Sequence, residues 1–221
     1  GGVPPAQAVH RGARTGPKVL GEVLRKIEAC ERMSFPVKQA LRLAPLLLVR
    51  PGELRQMRWA EVNLEIEEWR FRVTKTSIDH IVPLPKQAVA ILREMHLLTA
   101  RGTYVFPNLR DYFKPMNENT LCLAMRTAGI TRDVATVHGF RAVARTQLDE
   151  VLGYRPDLIE HQLAHAVRDP NGRAYNRTRF LDERKIMLQG WADYLDRVRT
   201  GADVVELGQR RREAGATEAN A

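Results

Sequence analysis

Long hydrophobic runs are missing from this 221-residue chain. The longest apolar stretch, Leu43 to Val49, is interrupted by Pro45 and falls far short of the roughly 20 residues a membrane span needs. Nothing reads as a secretory leader either, because residues 1–16 are rich in Gly, Ala, Pro and Arg and hold no apolar core. Cysteine is scarce. Cys30 and Cys122 cannot supply a disulfide framework, and reduced thiols in a cytosolic protein are the default reading. Both lie in apolar helical patterns and are expected to be small core residues. Internal repeats and low-complexity segments are lacking as well. What is present is ordinary globular composition, with 44% hydrophobic and 28% charged residues. A chain of this length can bury a real core, as one large domain or two small ones. Acidic residues are outnumbered, 26 against 35 Lys and Arg, so the formal charge is +9. That excess favours a polyanionic partner but defines no reaction.

Residues 1–16 are expected to be a flexible lead-in, and the chain reads as starting in mid-protein. Pro17 suits a first helical turn, and Val19, Leu20, Val23, Leu24 and Ile27 follow at helical spacing. Ser34 precedes a second helix with apolar Val37, Ala40, Leu41, Leu43 and Ala44. Pro51-Gly52 breaks it, and a short helical pattern restarts over Glu53 to Trp59. The period then changes to two. Val62, Leu64 and Ile66 alternate, Trp69, Phe71 and Val73 alternate, and Ile81 to Leu84 forms a third apolar segment. This predicts a small three-stranded antiparallel sheet, with Lys75 to Asp79 as the tip between its second and third strands.

Helical periodicity returns at Lys86, with further helices over Asn117 to Ala128, Val137 to Leu152, Asp157 to His165, and Tyr175 to Arg197 as one or two pieces. The fold class is therefore α+β and mainly α-helical. Residues 17–199 are expected to form the folded domain. Residues 200–221, polar and carrying Arg210-Arg211-Arg212, are expected to be a disordered or docking tail.

Several polar residues fall at predicted helix ends and turns, and each has a plain structural reading beside a chemical one. Arg50 closes an apolar helix before Pro-Gly. It can cap carbonyls, or its fork can grip a phosphate bidentately. Lys75 at a hairpin tip is a solvated charge, or a proton donor to a leaving oxygen. His138 and Arg141 stand three apart at a helix start, so both heads can meet one anion. The alternative is a partly buried histidine beside a surface arginine. His161 and His165 are four apart, as in a zinc helix. The intervening residue is Gln162, an amide that cannot act as the general base of a His-Glu-x-x-His site, and no third Cys or His lies nearby. His161 is read as a surface residue. Tyr175 sits between Arg173 and Arg177, as amphipathic filler or as a nucleophile whose phenolate the arginines favour.

The order and contexts of the set are more specific than its members. Arg50 in Leu-Val-Arg-Pro-Gly-Glu-Leu, Lys75 before His-Ile-Val-Pro-Leu, His-Gly-Phe-Arg, Leu-Ala-His and Ala-Tyr-Asn-Arg resemble the catalytic-domain motifs of tyrosine recombinases, above all prophage and genomic-island integrases. Val105-Phe106-Pro107, Lys114-Pro115-Met116-Asn117, Ile159-Glu160 and Trp191-Ala192-Asp193-Tyr194-Leu195 fit the same family, and the likeness runs over residues 18–197.

The resemblance implies site-specific DNA strand cleavage through a 3′-phosphotyrosine link and rejoining, with neither ATP nor metal as cofactor. It implies Tyr175 as nucleophile, Arg50 and Arg141 as the phosphate clamp, Lys75 as general acid, His138 as proton acceptor or guide, and His165 as a phosphate ligand, with Glu53 supporting the guanidiniums. It further implies DNA attachment sites as partners, a tetramer on DNA, accessory DNA-bending or directionality proteins, and a cytoplasmic, nucleoid-associated location. Three rival readings are kept: a type IB topoisomerase-like or telomere-resolving enzyme, a DNA-binding regulator without catalysis, and a zinc hydrolase, which metal analysis would settle.

Overall fold

The computed structural model describes residues 16–73, 78–164 and 180–201. Helix α1 (Pro17–Ala29) starts where Pro17 sets the first turn, and its buried face carries Leu20, Val23, Leu24 and Ile27. Helix α2 (Phe35–Leu47) is buried over most of its length, including Leu41, Leu43, Leu47 and, just beyond it, Leu48. The remaining helices gather around it. A short helix α3 (Pro51–Arg55) follows, then a single 3-10 turn at Trp59–Glu61.

Strands β1 (Val62–Asn63), β2 (Glu68–Arg72) and β3 (Asp79–Pro83) form the expected antiparallel sheet in the order β1-β2-β3. Trp69 pairs with Val82, and Phe71 with His80. Trp69 and Phe71 point inward and stack at 4.1 Å, while Arg70 and Arg72 face solvent. The first strand is shorter than the Val62–Leu64–Ile66 alternation suggests. Asn63 Oδ1 accepts the backbone N–H of Glu65 at 2.9 Å and of Ile66 at 3.1 Å. This side-chain turn competes with the ladder and ends it.

Helix α4 (Lys86–Thr99) and α5 (Thr120–Thr127) come next, with Gly129 in the left-handed region after α5. The helix expected over Val137 to Leu152 divides into α6 (Gly139–Thr146) and a wider π-helical turn at Gln147–Val151. Buried Gln147 there accepts the Tyr194 hydroxyl at 2.7 Å. Helix α7 (Pro156–Gln162) stops before His165, and α8 (Leu181–Thr200) closes the described fold. Among the described residues no helix is long and apolar enough to cross a membrane. Two expectations need correction. Cys122 is exposed on α5, and Cys30 is only half-buried just past α1. An apolar period gives the face of a helix approximately, and these thiols lie at its margin.

Helices α1 and α8 touch backbone to backbone. A Cβ on Gly21 would lie 2.2 Å from the Val198 carbonyl oxygen. Beside this contact the Arg25 guanidinium donates to the carbonyls of Val198 at 3.3 Å and Arg199 at 2.9 Å, capping the end of α8. The obstructing atom is main chain, so no rotamer change makes room. Gly21→Ala is expected to destabilise the fold by about 1–3 kcal/mol. Thermal unfolding should show this as a fall in midpoint of roughly 2–4 °C per kcal/mol.

Candidate active site

The site is built around the buried end of α2. A helix leaves its last carbonyls without partners, and here the helix stops inside the protein. Leu48 adopts the left-handed conformation (φ 58°) and turns the chain away. The carbonyls so exposed are met by side chains from three other elements. Trp191 Nε1 of α8 donates to Pro45 O at 2.7 Å. Gln162 Nε2 of α7 donates to Leu47 O at 3.1 Å. The Arg141 guanidinium of α6 donates to Leu48 O, and with its other terminal nitrogen to Leu163 O at 2.7 Å.

Two residues past Leu48, Arg50 leads into α3. Glu53 accepts the Arg50 backbone N–H at 2.8 Å and the Arg50 guanidinium at 2.9 Å. The carboxylate is nearly inaccessible, at 5% side-chain exposure, whereas the Arg50 side chain keeps 24%. One acid thus fixes the helix start and the cation together. The guanidinium stays within reach of a ligand.

Arg141 is 6% exposed. Burial, and then the like charge of Arg50, push its pKa down to about 10, while Glu53 and Glu160 act in the opposite direction. Because Arg141 is anchored on Leu48 O and Arg50 follows two residues later, both arginines stand at the end of α2. Arg141 remains cationic at neutral pH. Glu160 also pairs with the Arg145 guanidinium on the next turn of α6. His138 occupies the exposed entry to α6, its carbonyl accepting the Arg141 N–H at 3.2 Å. Thr136 Oγ1 caps the turn by accepting Gly139 N–H at 2.9 Å.

Of the residues singled out in the sequence, Arg50, Glu53 and Arg141 are therefore brought together, with His138 one turn before Arg141. Lys75, His165 and Tyr175 lie outside the described residues. The described chain stops at Ala164 and resumes at Phe180. Ala164 follows Leu163, whose carbonyl Arg141 holds.

One expectation fails. His161 is not a surface residue. It is 5% exposed on α7 and packs edge-on against Phe180 at 6.1 Å.

Sequence reasoning also missed a buried polar layer behind the arginines. Arg184, fully buried on α8, donates through Nε and Nη2 to Gln162 Oε1 at 3.1 and 2.7 Å, and through Nη2 to Ile81 O of β3. His80 of β3 is 3% exposed, lies edge-on to Phe71, and donates through Nε2 to Gln162 O at 3.1 Å. The available signal was charged or amide residues inside apolar helical faces, as at Gln162 and Arg184.

Burial, and then the Arg184 charge, push the His80 pKa down to about 3, although the Gln162 carbonyl favours the protonated ring. The folded protein therefore holds this imidazole neutral, whereas the unfolded chain protonates it near pH 6.5. The unfolded state then binds more protons between about pH 6.5 and 3, and stability falls as pH falls through that window. The limiting slope is ~1.4 kcal/mol per pH unit. Denaturant unfolding at stepped pH should show the loss. His80→Gln keeps a donor but does not titrate, and should flatten the slope.

The model of the phage integrase family matches residues 20–180. The integrase of Enterobacteria phage P4 is 38% identical over 173 residues, which is 71% of this chain and 39% of that protein. The chain spans less than half the length of the curated relatives it matches. A solved integrase from mycobacterium phage Brujita shares the fold with a TM-score of 0.59 at 18% identity, over 82% of this chain and 62% of that one. A lambda integrase tetramer bound to a Holliday junction gives 0.51 at 19% identity, over 70% and 48%. Two arginines converging on the end of a buried helix, in a domain of this architecture and with this family match, lead to one assignment: the chain belongs to the phage integrase family.

Proposed function

We propose that this chain is the strand-cleaving domain of a tyrosine-type site-specific DNA recombinase that integrates and excises a mobile element. The observation that carries the reading is the convergence of Arg50 and Arg141 on one locus, each held in place from behind by carbonyl or carboxylate partners.

In this reading the Tyr175 hydroxyl attacks a DNA phosphorus in line. The new bond joins the phenolic oxygen to phosphorus, and the bond from phosphorus to the 5′ oxygen breaks. The phenolic proton passes toward His138, and Lys75 protonates the leaving 5′ oxygen. Negative charge builds on the non-bridging oxygens, where the two guanidiniums and His165 meet it. Each well-placed donor of this kind is worth ~3–4 kcal/mol in the transition state. The 3′-phosphotyrosine conserves the bond, and a 5′ hydroxyl from a partner strand reverses the step. No nucleotide hydrolysis is required by this balance.

The substrates are duplex attachment sites, and the working assembly is a tetramer on two duplexes, as the lambda integrase complex with a Holliday junction suggests. Accessory bending or directionality proteins and a location at the bacterial nucleoid complete the proposal.

The test is a nicked duplex that carries the junction between the mobile element and its host chromosome. The chain should form a denaturation-resistant adduct through a 3′ phosphate, without added ATP or divalent metal. DNA binding with no adduct would favour a non-catalytic regulator. Adducts together with relaxation of supercoiled plasmid at no preferred sequence would favour a topoisomerase-like enzyme.

A further inference from the structure

We propose that Gln162 and Arg184 are positioning residues that set the geometry of the Arg50 and Arg141 pair, an inference that rests on the recombinase reading for its catalytic consequence and on the fold alone for its structural one. Gln162 is 1% exposed and Arg184 is fully buried. Both ends of the Gln162 amide are used. Its oxygen accepts two bonds from Arg184, at 3.1 and 2.7 Å, and its nitrogen donates to Leu47 O at 3.1 Å. Arg184 also reaches Ile81 O.

The rigid guanidinium fork therefore fixes which way the amide faces, and the amide fixes the carbonyl that ends α2. Leu47 precedes Leu48, whose own carbonyl orients Arg141, and Arg50 follows two residues later. The chain of contacts runs from the sheet through α8 and α7 to the backbone that delivers both guanidiniums. Gln162 also lies one residue before Leu163, the second anchor of Arg141. One amide thus stands next to both carbonyls that hold that arginine. A burial role alone would be served equally by an apolar side chain of the same volume. The directional match of donor and acceptor at each end is what such a replacement loses.

Gln162→Glu separates positioning from packing. The carboxylate keeps its shape and its bonds to Arg184, but it has no proton for Leu47 O. Hydrogen exchange of the free chain is read first. Amides of residues 48–54 should exchange at least about tenfold faster than in the parent, while those of α4 and of residues 191–198 keep their protection. On the nicked junction duplex, the rate of adduct formation should fall about tenfold or more with unchanged DNA affinity.

Gln162→Met is the second variant, near in volume and without hydrogen bonds, and it should give the same local pattern. If Gln162→Glu loses protection throughout the chain, Gln162→Met decides. Unaltered exchange at residues 48–54 in a folded variant overturns the proposal. Loosened exchange with an unaltered adduct rate overturns its catalytic part. A parent chain that forms no adduct removes the recombinase reading, and the exchange measurement still decides whether the amide holds α2.

Discussion

Tyr175→Phe is expected to abolish covalent protein–DNA adducts while DNA affinity stays within about twofold of the parent, because the lost hydroxyl is the proposed nucleophile and contributes little to ground-state binding. A phenol with a reference pKa of about 10 is almost wholly neutral at pH 7. The reaction therefore depends on proton removal within the assembled site, and a phenyl ring has no proton to lose and no oxygen to attack. The measurement pairs adduct formation on the nicked junction duplex with a mobility-shift titration. Adducts that persist in Tyr175→Phe would mean that another residue carries the attack. Lost DNA binding would mean that Tyr175 contributes to recognition.

Arg141→Lys should lower the single-turnover rate of adduct formation by about 10²–10³-fold, the cost typical of losing one oriented donor in a transition-state clamp. Charge is conserved, so a purely electrostatic view would predict little change. The geometry predicts otherwise. Arg141 uses one terminal nitrogen for Leu48 O and the other for Leu163 O. Lysine offers a point charge on a flexible stem and cannot reproduce that fork. It also leaves a buried carbonyl without a donor, which costs about 1–3 kcal/mol of stability. Rate and thermal midpoint should therefore fall together. A variant that loses stability but keeps its rate would show Arg141 to be structural only.

Much of the architecture could be read from residue order. Pro17 and Ser34 mark the first two helices because the physics of helix entry is local. Alternation at Trp69, Phe71 and Val73 exposes the sheet because one strand face is buried. Motif context points to Arg50 and Arg141 as candidates, and the pairing of Glu53 with Arg50 follows from its position one turn after it.

The rest depends on contacts between distant segments. The left-handed turn at Leu48 is hidden inside an apolar run, and nothing local favours it in a leucine. His161 reads as a surface imidazole in the sequence, yet it is 5% exposed and its ring packs edge-on against Phe180, beyond its own helix. In the sequence Gln162 stands out only as the wrong residue for a zinc base. Its actual partners, Leu47 and Arg184, lie 115 and 22 residues away. The buried amide and guanidinium matter through pairing, and pairing is not periodic.

The kinked leucine after α2 sets evolution a conflict. Leu48 carries a left-handed backbone (φ 58°) under a side chain with no solvent exposure, a conformation that costs a non-glycine residue about 1–2 kcal/mol. Glycine would relax the main chain there but empty the niche the isobutyl group fills, and it would free the hinge that aims the neighbouring carbonyl. Backbone relaxation and side-chain packing therefore pull this codon in opposite directions.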